Sequence, residues 1–430
     1  MKLLIKNGRV VDPSQHLDAV VDVLVEEGKI KEIAPSITAQ VEEIYDASGL
    51  VLVPGLVDLH THLREPGCEA KEDILTGTQA AAHGGFTTVA CMPNTKPVID
   101  TSIVLSGVKE RAEKEGMAHV EIIGAISKAE EGKELAEMGD MAARGAMAFS
   151  DDGHHLSSTR LFLLASYYAK ALNKPIISHS IEEELNAQGY MHEGQVSARL
   201  GIPGVASVAE DIAVARDCLV AQYTGARVHI AHISTRGAVD IVRHFQQKGV
   251  PVTAEVTVHH LTLTDEACAC FNTAAKVSPP LRSKEHVEAL RQGLLDGTIS
   301  AVVTDHSPHA PEEKDVEFRY APNGFTGLET SLGVMLTDLY HTGILDLNTL
   351  VRKMSCEPAE LFNLKAGTLR PGSLADITFI DLDKEWVVDS SAFYTRGKFT
   401  PFEGKKCKGR AVATLLAGRF VMKEGKVLQK

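Results

Sequence analysis

Two histidines and an arginine follow an apolar run near the start of the chain, in LVLVPGLVDLHTHLREPG over residues 50–67. Alternate residues of a strand point to the same side, so His60 and His62 can face one ion while Thr61 points away. Imidazole nitrogens are ligands of zinc and of similar divalent ions. We therefore interpret this stretch as part of a metal site, with the guanidinium of Arg64 beside it.

Four later apolar runs also end in residues that commonly bind metals. These endings are Asp151–Asp152, His179, His232, and Asp305 followed by His306 and His309. A single histidine of this kind usually makes a hydrogen bond in a core or a loop, but a set of strand ends indicates a site where side chains converge. Nitrogen and carboxylate ligands without cysteine are typical of catalytic zinc. They outnumber the ligands of one open tetrahedral site, whereas two ions that share a bridging carboxylate would use them all.

Two ions of this kind would support hydrolysis without a serine or cysteine nucleophile. Metals about 3.5–4 Å apart hold a bridging hydroxide and polarise a carbonyl group. Binding lowers the pKa of the water toward neutrality, and a nearby carboxylate can pass its proton to a leaving nitrogen. The sequence has no Walker A motif, no G-x-S-x-G and no HExxH, which are the signatures of other catalytic classes.

The elements that must position these residues alternate between short β-branched runs and stretches of helical periodicity. Eight runs recur between residues 54 and 365: LVDLHTH, FTTVACM, HVEIIGAI, GAMAFSDD, PIISHS, RVHIAHIS, VPVTAEVTVHH and ISAVVTDHSPH. This alternation predicts a (β/α)8 barrel, in which catalytic groups come from the C-terminal ends of several strands. A doubly wound sheet is the alternative, but it would usually have a glycine-rich phosphate turn where this chain has His60-Thr61-His62.

Both ends of the chain differ from this middle part. They consist of short alternating strands with turn signals such as Asn7–Gly8 and Glu27–Gly28. We expect both ends to pair in one small β-sandwich domain. The predicted organisation is residues 1–53 and 366–430 for that domain, and residues 54–365 for the barrel.

Composition excludes several functional classes. The 430 residues carry a formal net charge of −13 without a long block of like charges, which argues against a nucleic-acid or anionic-membrane surface. The seven cysteines are scattered, so we expect reduced thiols, and the Cys268-x-Cys270 pair is more typical of packing than of a metal site. No signal peptide and no membrane span of about 20 apolar residues is recognisable. These features predict a soluble cytoplasmic protein.

Six segments carry a resemblance to a known family: PGLVDLHTHLREPG, GGFTTVACMPNTKP, SDDG, HIAHIST, PPLR and TDHSPH. The chain resembles the amidohydrolase superfamily and, within it, the bacterial type I dihydroorotases, over nearly its whole length. The HxH pair marks only the superfamily, whereas HLREPG together with MPNT and DHxPH is more specific. The resemblance implies reversible cyclisation of N-carbamoyl-L-aspartate to L-dihydroorotate and water, a step of de novo pyrimidine (UMP) biosynthesis.

The resemblance also implies a role for each candidate residue. His60, His62 and Asp305 would hold one zinc ion, and His179 and His232 the second, with another divalent ion as a substitute. Strand geometry leaves Asp151 and Asp152 equally suited to bridge the ions, and the family register selects Asp152. Asp305 would also be the general acid and base. The residues implied in substrate binding are Arg64 and Asn94 at the carboxylate, and His62, Ser278, His309, Asn323 and Gly324 around the pocket.

Some positions depart from the family pattern and keep other functions open. Ser278 stands where the family usually has asparagine, Ser307 where it usually has alanine, and Val258 where it often has proline. Allantoinases are similar at the two serine positions, but typically lack the arginine after HxH and use a lysine bridge. The alternatives are therefore an allantoinase or hydantoinase, or a non-catalytic homologue that serves as a scaffold for aspartate transcarbamoylase. For partners, we expect a homodimer and an association with aspartate transcarbamoylase.

Overall fold

The computed structural model describes residues 2–186 and 189–428, and the first part of the chain is built of short strands. These are β1 (Lys2–Asp12), β2 (Leu17–Glu26), β3 (Lys29–Ala34), β4 (Glu43–Asp46) and β5 (Val51–Pro54). Glu27 and Gly28 join β2 to β3 with positive φ angles of 51° and 78°. The turn predicted at these two residues is confirmed.

The turn predicted at Asn7–Gly8 is wrong. Both residues lie inside β1, where the pairing with β2 shifts from Ile5–Val23 to Gly8–Val21 and leaves one extra residue in β1. Asn7 has a φ of 62°, and its backbone amide donates a hydrogen bond to Asp22. An Asn-Gly pair favours positive φ, which a β-bulge uses as readily as a hairpin turn does.

Eight parallel strands follow and form the central sheet. They are β6 (Leu56–Thr61), β7 (Phe86–Cys91), β8 (His119–Ala125), β9 (Ala148–Ser150), β10 (Ile176–Ser178), β13 (Val228–Ile230), β14 (Val252–Thr257) and β15 (Ala301–Val303). A separate two-stranded pair consists of β11 (Met191–His192) and β12 (Gly204–Val205). All eight predicted runs are strands of this sheet, in chain order.

Helices occupy the segments between these strands and after them. The first, α1 (Ile74–Gly84), begins with an Asp73–Thr76 capping box and is capped at its C-terminus by Gly85, whose φ is 90°. The other helices are α2 (Ser102–Glu115), α3 (Met138–Arg144), α4 (Thr159–Ala171), α5 (Glu183–Asn186), α6 (Gln195–Leu200), α7 (Val208–Thr224), α8 (Arg236–Gln247), α9 (Val258–Thr262), α10 (Lys284–Leu295), α11 (Pro311–Lys314), α12 (Ser331–Met335), α13 (Leu347–Val351) and α14 (Glu357–Phe362).

The sheet closes between its first and last strands. The amide of His62 donates to the carbonyl of His306 (2.8 Å), and Thr61 forms a parallel bridge with the same residue. The buried carboxylate of Asp58 accepts from the Thr304 hydroxyl at 2.5 Å. Closure confirms the predicted (β/α)8 barrel, since a doubly wound sheet would stay open. The C-terminal ends of the strands therefore meet at one mouth.

The last strands return to the beginning of the chain. Here β16 (Ile377–Val387), β17 (Lys406–Leu416), β18 (Arg419–Lys423) and β19 (Lys426–Val427) join the first five strands in a nine-stranded sheet. The two halves meet where β16 pairs antiparallel with β5. A hydrophobic core with contributions from both ends of the chain, including Leu3, Val23, Phe379 and Leu415, fills this domain. This confirms the small β-sandwich predicted from the two termini.

Within residues 2–186 and 189–428, no helix is long and apolar enough to cross a membrane.

Candidate active site

The two histidines of the HxH pair point into the mouth of the barrel from the end of β6 and just beyond it. His60 is fully buried, and its Nδ1 lies 2.7 Å from Oε1 of Glu255 on β14. Nδ1 of His62 lies 2.9 Å from Oδ1 of Asn94. These contacts occupy the Nδ1 atoms and leave both Nε2 atoms directed at carboxylates, with Nε2 of His62 3.2 Å from Asp305.

Asp152 lies between two pairs of histidines. Its Oδ2 is 3.4 Å from Nε2 of His60 and 3.5 Å from Nε2 of His62. Its Oδ1 is 3.5 Å from Nδ1 of His179 and 3.4 Å from Nε2 of His232. One carboxylate thus presents a separate oxygen to each pair, which is the arrangement that a carboxylate bridging two cations requires.

Its neighbour Asp151 has a different environment. Oδ1 of Asp151 accepts from the backbone amides of Ile126 and Ser127, and Oδ2 accepts from the Ser127 hydroxyl at 2.5 Å. The side chain is buried, and its hydrogen-bond partners are the two residues that directly follow β8 rather than the four histidines. Successive residues at the end of a strand point in opposite directions, so only Asp152 faces the four imidazoles.

The chemistry of these donors fits divalent cations. Ligand atoms lie within 4.8 Å of one another in two buried sets, one of His60, Asp152 and His232 and one of His60, His62 and Asp305. Within the described part of the chain, His60 Nε2 and Asp152 Oδ1 are buried without a hydrogen-bond partner. Buried polar atoms without a partner are costly, and a cation between them would remove that cost. Imidazole and carboxylate ligands suit zinc and related ions.

The carboxylates of the site are held ionised. Burial by itself raises the pKa of Asp152, but His60, His179 and His232 outweigh it and place that pKa well below the usual range. Burial opposes ionisation of Asp305 in the same way, and His62 and His60 again lower its pKa. Both groups are therefore negative at neutral pH, as metal ligands and as proton acceptors must be.

A cavity of about 290 Å³ opens beside these ligands. Arg64 lines it, with its own Nε donating to the Pro308 carbonyl (3.2 Å) and its Nη2 donating to the Ser307 hydroxyl (3.0 Å). The serine that departs from the family pattern thus fixes the guanidinium beside the cavity. Such a fixed fork can bind a carboxylate through two hydrogen bonds.

The remaining predicted substrate residues line the same cavity. His309 lies 2.8 Å through Nε2 from the Asn323 carbonyl, which fixes its ring against that loop. Nδ2 of Asn94 donates to the backbone carbonyl of Asp152 at 3.4 Å. Asn94 therefore contacts two candidate metal ligands, Asp152 and His62. The predicted residues that the structure brings to the cavity wall are His62, Arg64, Asn94, Ser278, His309, Asn323 and Gly324.

Several residues of the site were missed by sequence reasoning. Glu255 is fully buried and holds His60 through Oε1 and His229 through Oε2 (3.1 Å). Burial opposes its ionisation, yet His60 and His229 lower its pKa to about 2. A charged residue in the middle of the apolar strand VTAEVT was the available signal. His155 was also missed; it lines the cavity and contacts the His179 carbonyl through Nδ1 at 3.1 Å.

Comparison with known proteins places the chain in a family. A family described as "Dihydro-orotase-like" matches residues 49–238. A dihydroorotase of Syntrophus aciditrophicus is 52% identical over 426 residues, which are 99% of this chain and 100% of that protein. A dihydroorotase of Pelotomaculum thermopropionicum is 50% identical and covers 99% of each chain. The chain belongs to the dihydroorotase family.

Solved structures extend this relationship to other amidohydrolases. An L-hydantoinase from Arthrobacter aurescens has a TM-score of 0.90 at 28% identity, over 100% of this chain and 97% of its own. A dihydropyrimidinase from Brevibacillus agri has a TM-score of 0.86 at 24% identity, over 100% and 96% of the two chains, which shows a shared fold. This chain is thus an enzyme of the dihydroorotase family on the scaffold common to these amidohydrolases, with residues suited to a divalent metal.

Proposed function

We propose that this enzyme interconverts N-carbamoyl-L-aspartate and L-dihydroorotate as a step of pyrimidine (UMP) synthesis. The observation that carries the proposal is the guanidinium of Arg64, fixed by Ser307 and Pro308 at the edge of the metal-ligand cluster. Both substrates have a carboxylate that a bidentate arginine recognises. Family membership at about half identity over the whole chain supports the same reaction.

The proposed metal site holds two zinc ions in each subunit. His60, His62 and Asp305 would hold one ion and His179 and His232 the other, with Asp152 between them. The support is the position of Asp152, whose two oxygens each face one pair of histidines. When bound, two such ions lower the pKa of a water molecule and polarise the amide carbonyl.

Asp305 is the proposed general acid and base. Its carboxylate lies at the mouth of the barrel, 3.2 Å from His62, and is ionised at neutral pH because the surrounding histidines lower its pKa. In the hydrolytic direction it takes the proton of the attacking water and delivers it to the ring nitrogen as the amide bond breaks. The reverse transfer accompanies cyclisation.

The proposed substrate pocket places the acid group of the substrate against Arg64 and Asn94. His62, Ser278, His309, Asn323 and Gly324 would line the rest. Ser278 is shorter than the asparagine usual in the family, so its side chain reaches less far toward the substrate. Of the proposed substrate contacts, this one least restricts the pocket to dihydroorotate, and another cyclic amide could bind there instead. This position favours, as a second candidate, an allantoinase or hydantoinase activity.

A three-substrate assay tests the proposal. Purified protein loaded with zinc should hydrolyse L-dihydroorotate and should leave allantoin and hydantoin unchanged. The Arg64→Met variant serves as a matched control, because it should bind zinc as the wild type does but lose turnover of L-dihydroorotate. Turnover of allantoin or hydantoin without dihydroorotate would overturn the substrate assignment, and metal analysis of the same protein should find two zinc ions for each chain.

The partners, the domain boundaries and the cellular location of the enzyme stay predictions. A non-catalytic scaffold for aspartate transcarbamoylase would not need a complete ligand set, whereas all six predicted ligands converge here. We propose the homodimer and the association with aspartate transcarbamoylase as expected assemblies, which sedimentation of the protein alone and of the mixture would detect.

We likewise propose a barrel domain of residues 54–365 between the two parts of the small domain, and a cytoplasmic location.

A further inference from the structure

One wall of the substrate cavity is a segment without helix or strand, residues 318–324. Asn323 and Gly324 line the cavity, whereas Arg319 and Tyr320 are exposed on the outer side. At the start of the segment, the amides of Tyr320 (2.9 Å) and Ala321 (3.2 Å) donate to the carbonyl of Glu317, which directly precedes it. The remaining backbone of the segment must therefore be held in place by groups from elsewhere in the chain.

The first of these groups is the buried side chain of Lys276. Its Nζ donates to the carbonyls of Phe318 (2.8 Å), Arg319 (3.0 Å) and Ala321 (2.7 Å). An ammonium group has three N–H donors, so these carbonyls use its full capacity. The backbone carbonyl of the same lysine accepts from the Gly324 amide at 2.9 Å. Lys276 thus contacts the segment at four points along its length.

The second group is Lys314, whose side chain is 1% exposed. Its Nζ donates to the carbonyls of Pro322 (2.9 Å) and Gly324 (2.8 Å). Within the part of the chain that the structure describes, no carboxylate forms an ion pair with either lysine. Fully buried lysines are rare and usually paired with a carboxylate. Here the hydrogen-bond partners that the structure shows for both ammonium groups are backbone carbonyls of one short segment, and Nζ of Lys276 also lies 5.1 Å from the centre of the Tyr190 ring.

The conformation held by these lysines is specific at Gly324. Its φ of +113° suits glycine, and a Cβ atom there would lie 2.7 Å from Cβ of Ser307, the residue that also binds Arg64. On the other side, His309 contacts the Asn323 carbonyl. Movement of the segment would therefore displace a pocket wall and two neighbours of the proposed carboxylate site at once.

We propose that Lys276 and Lys314 are positioning residues, whose five hydrogen bonds to residues 318–324 fix the wall of the substrate pocket. Neither lysine touches the reacting atoms. They act by holding Asn323 and Gly324 against Ser307 and His309, so that the pocket is formed before the substrate arrives. The expected change in KM rests on the proposed function. The expected order of residues 318–324 depends on the structure alone.

The kinetic test replaces each lysine in the metal-loaded enzyme. Lys314→Met removes two charged hydrogen bonds and should raise KM for L-dihydroorotate by roughly tenfold or more, with kcat changed less than about threefold. Lys276→Met removes three and should raise KM further. Lys353→Met is the matched control, because this buried lysine donates to the Ile299 carbonyl and to Glu357, away from the cavity. It should lower the melting temperature and leave KM unchanged.

Hydrogen exchange of the substrate-free proteins provides a measurement that does not depend on activity. The amides of Ala321 and Gly324 should exchange at least tenfold faster in Lys314→Met than in the wild type and in Lys353→Met. If Lys276→Met does not fold, Lys314→Gln, which keeps a donor for one carbonyl, should show an intermediate effect. Unchanged exchange and unchanged KM in the folded Lys314 variants would overturn the proposal. Faster exchange in the Lys314 variants, together with a wild type that does not turn over dihydroorotate, would support the positioning role and reject the proposed function.

Discussion

Asp305 has two proposed roles, as a metal ligand and as the group that moves the proton, and substitutions can separate them. Asp305→Ala removes both and should lower kcat by roughly 10²–10⁴-fold or more. Asp305→Asn keeps the shape and one possible ligand oxygen but cannot accept a proton. Steady-state rates and zinc content should be measured on the same preparations.

The two variants should differ in metal content more than in rate. We expect Asp305→Asn to retain more zinc than Asp305→Ala and still to be slow. Near-normal turnover by either variant would show that another group carries the proton.

Arg64 is the proposed determinant of which cyclic amide the enzyme selects. Arg64→Met should raise KM for L-dihydroorotate by roughly 10²-fold, because the substrate carboxylate loses a bidentate charged partner. Ser307→Ala is the milder companion, since it removes one hydrogen bond that orients the guanidinium and should raise KM by about tenfold or less. Initial-rate kinetics on both variants checks this order, and equal KM values for Arg64→Met and wild type would contradict the role.

At this scale the sequence predicts which residue types meet, but not how they are oriented. The ends of the apolar runs identify His60, His62, His179 and His232, because strand ends of a barrel converge wherever the intervening helices run. The choice between Asp151 and Asp152 depended on family resemblance, since it turns on which side of β9 each residue faces. The hydrogen bond from Arg64 to Ser307 joins residues 243 positions apart, and no local pattern encodes it.

Among the elements, β14 supports the proposed metal site without providing a predicted ligand. Its residue Glu255 bridges His60 of β6 and His229 of β13, so one carboxylate sets the orientation of a proposed ligand on another strand. A carboxylate of this kind fixes the tautomer of a metal-binding histidine and increases its basicity.

Glu255→Gln should therefore weaken zinc binding about 10–100-fold. Competition with a chelator of known affinity measures the change, and activity at saturating zinc should recover at least in part because no ligand is lost. Thr253→Val is the matched control on the same strand; it removes the partner of His229 Nδ1 but not the contact with His60. Equal zinc affinities for wild type and Glu255→Gln would exclude this orienting role.

The elements themselves were predicted well where periodicity is strong. The eight β-branched runs appear as strands where the pattern placed them, and helices such as α1, α4 and α7 occupy the stretches between them, because burial on both faces or on one stripe leaves a clear signal. The pattern failed at Asn7–Gly8, where a bulge uses the same positive φ as a turn. It was also silent about the hydrogen bonds that Lys276 and Lys314 donate to residues 318–324, because no local pattern encodes them.

Burial of Lys276 and Lys314 lowers the free energy of unfolding of the whole molecule. Burial lowers the pKa of Lys314 from the ordinary value of 10.5 to about 7, and the nearby ammonium of Lys276 adds to the effect. Burial likewise lowers the pKa of Lys276 to about 8. A group whose pKa is lower in the folded protein than in the unfolded chain opposes folding at every pH where it must be protonated.

The free energy of unfolding should therefore rise with pH between about 7 and 10. In that window the unfolded chain still binds a proton at Lys314 that the folded protein has released, and stability increases wherever the unfolded state binds more protons. Neutral Lys314 keeps two N–H donors for its two carbonyl partners, so the segment stays held as the charge is lost.

Urea denaturation at pH 7 and at pH 9.5 measures this change in the free energy of unfolding. Its rise between the two pH values should be smaller in Lys314→Met than in the wild type by about 1–3 kcal/mol. A double variant with Lys276→Met should flatten the dependence further. Parallel pH profiles for wild type and both variants would show that the buried lysines titrate in the folded protein as they do in the unfolded chain.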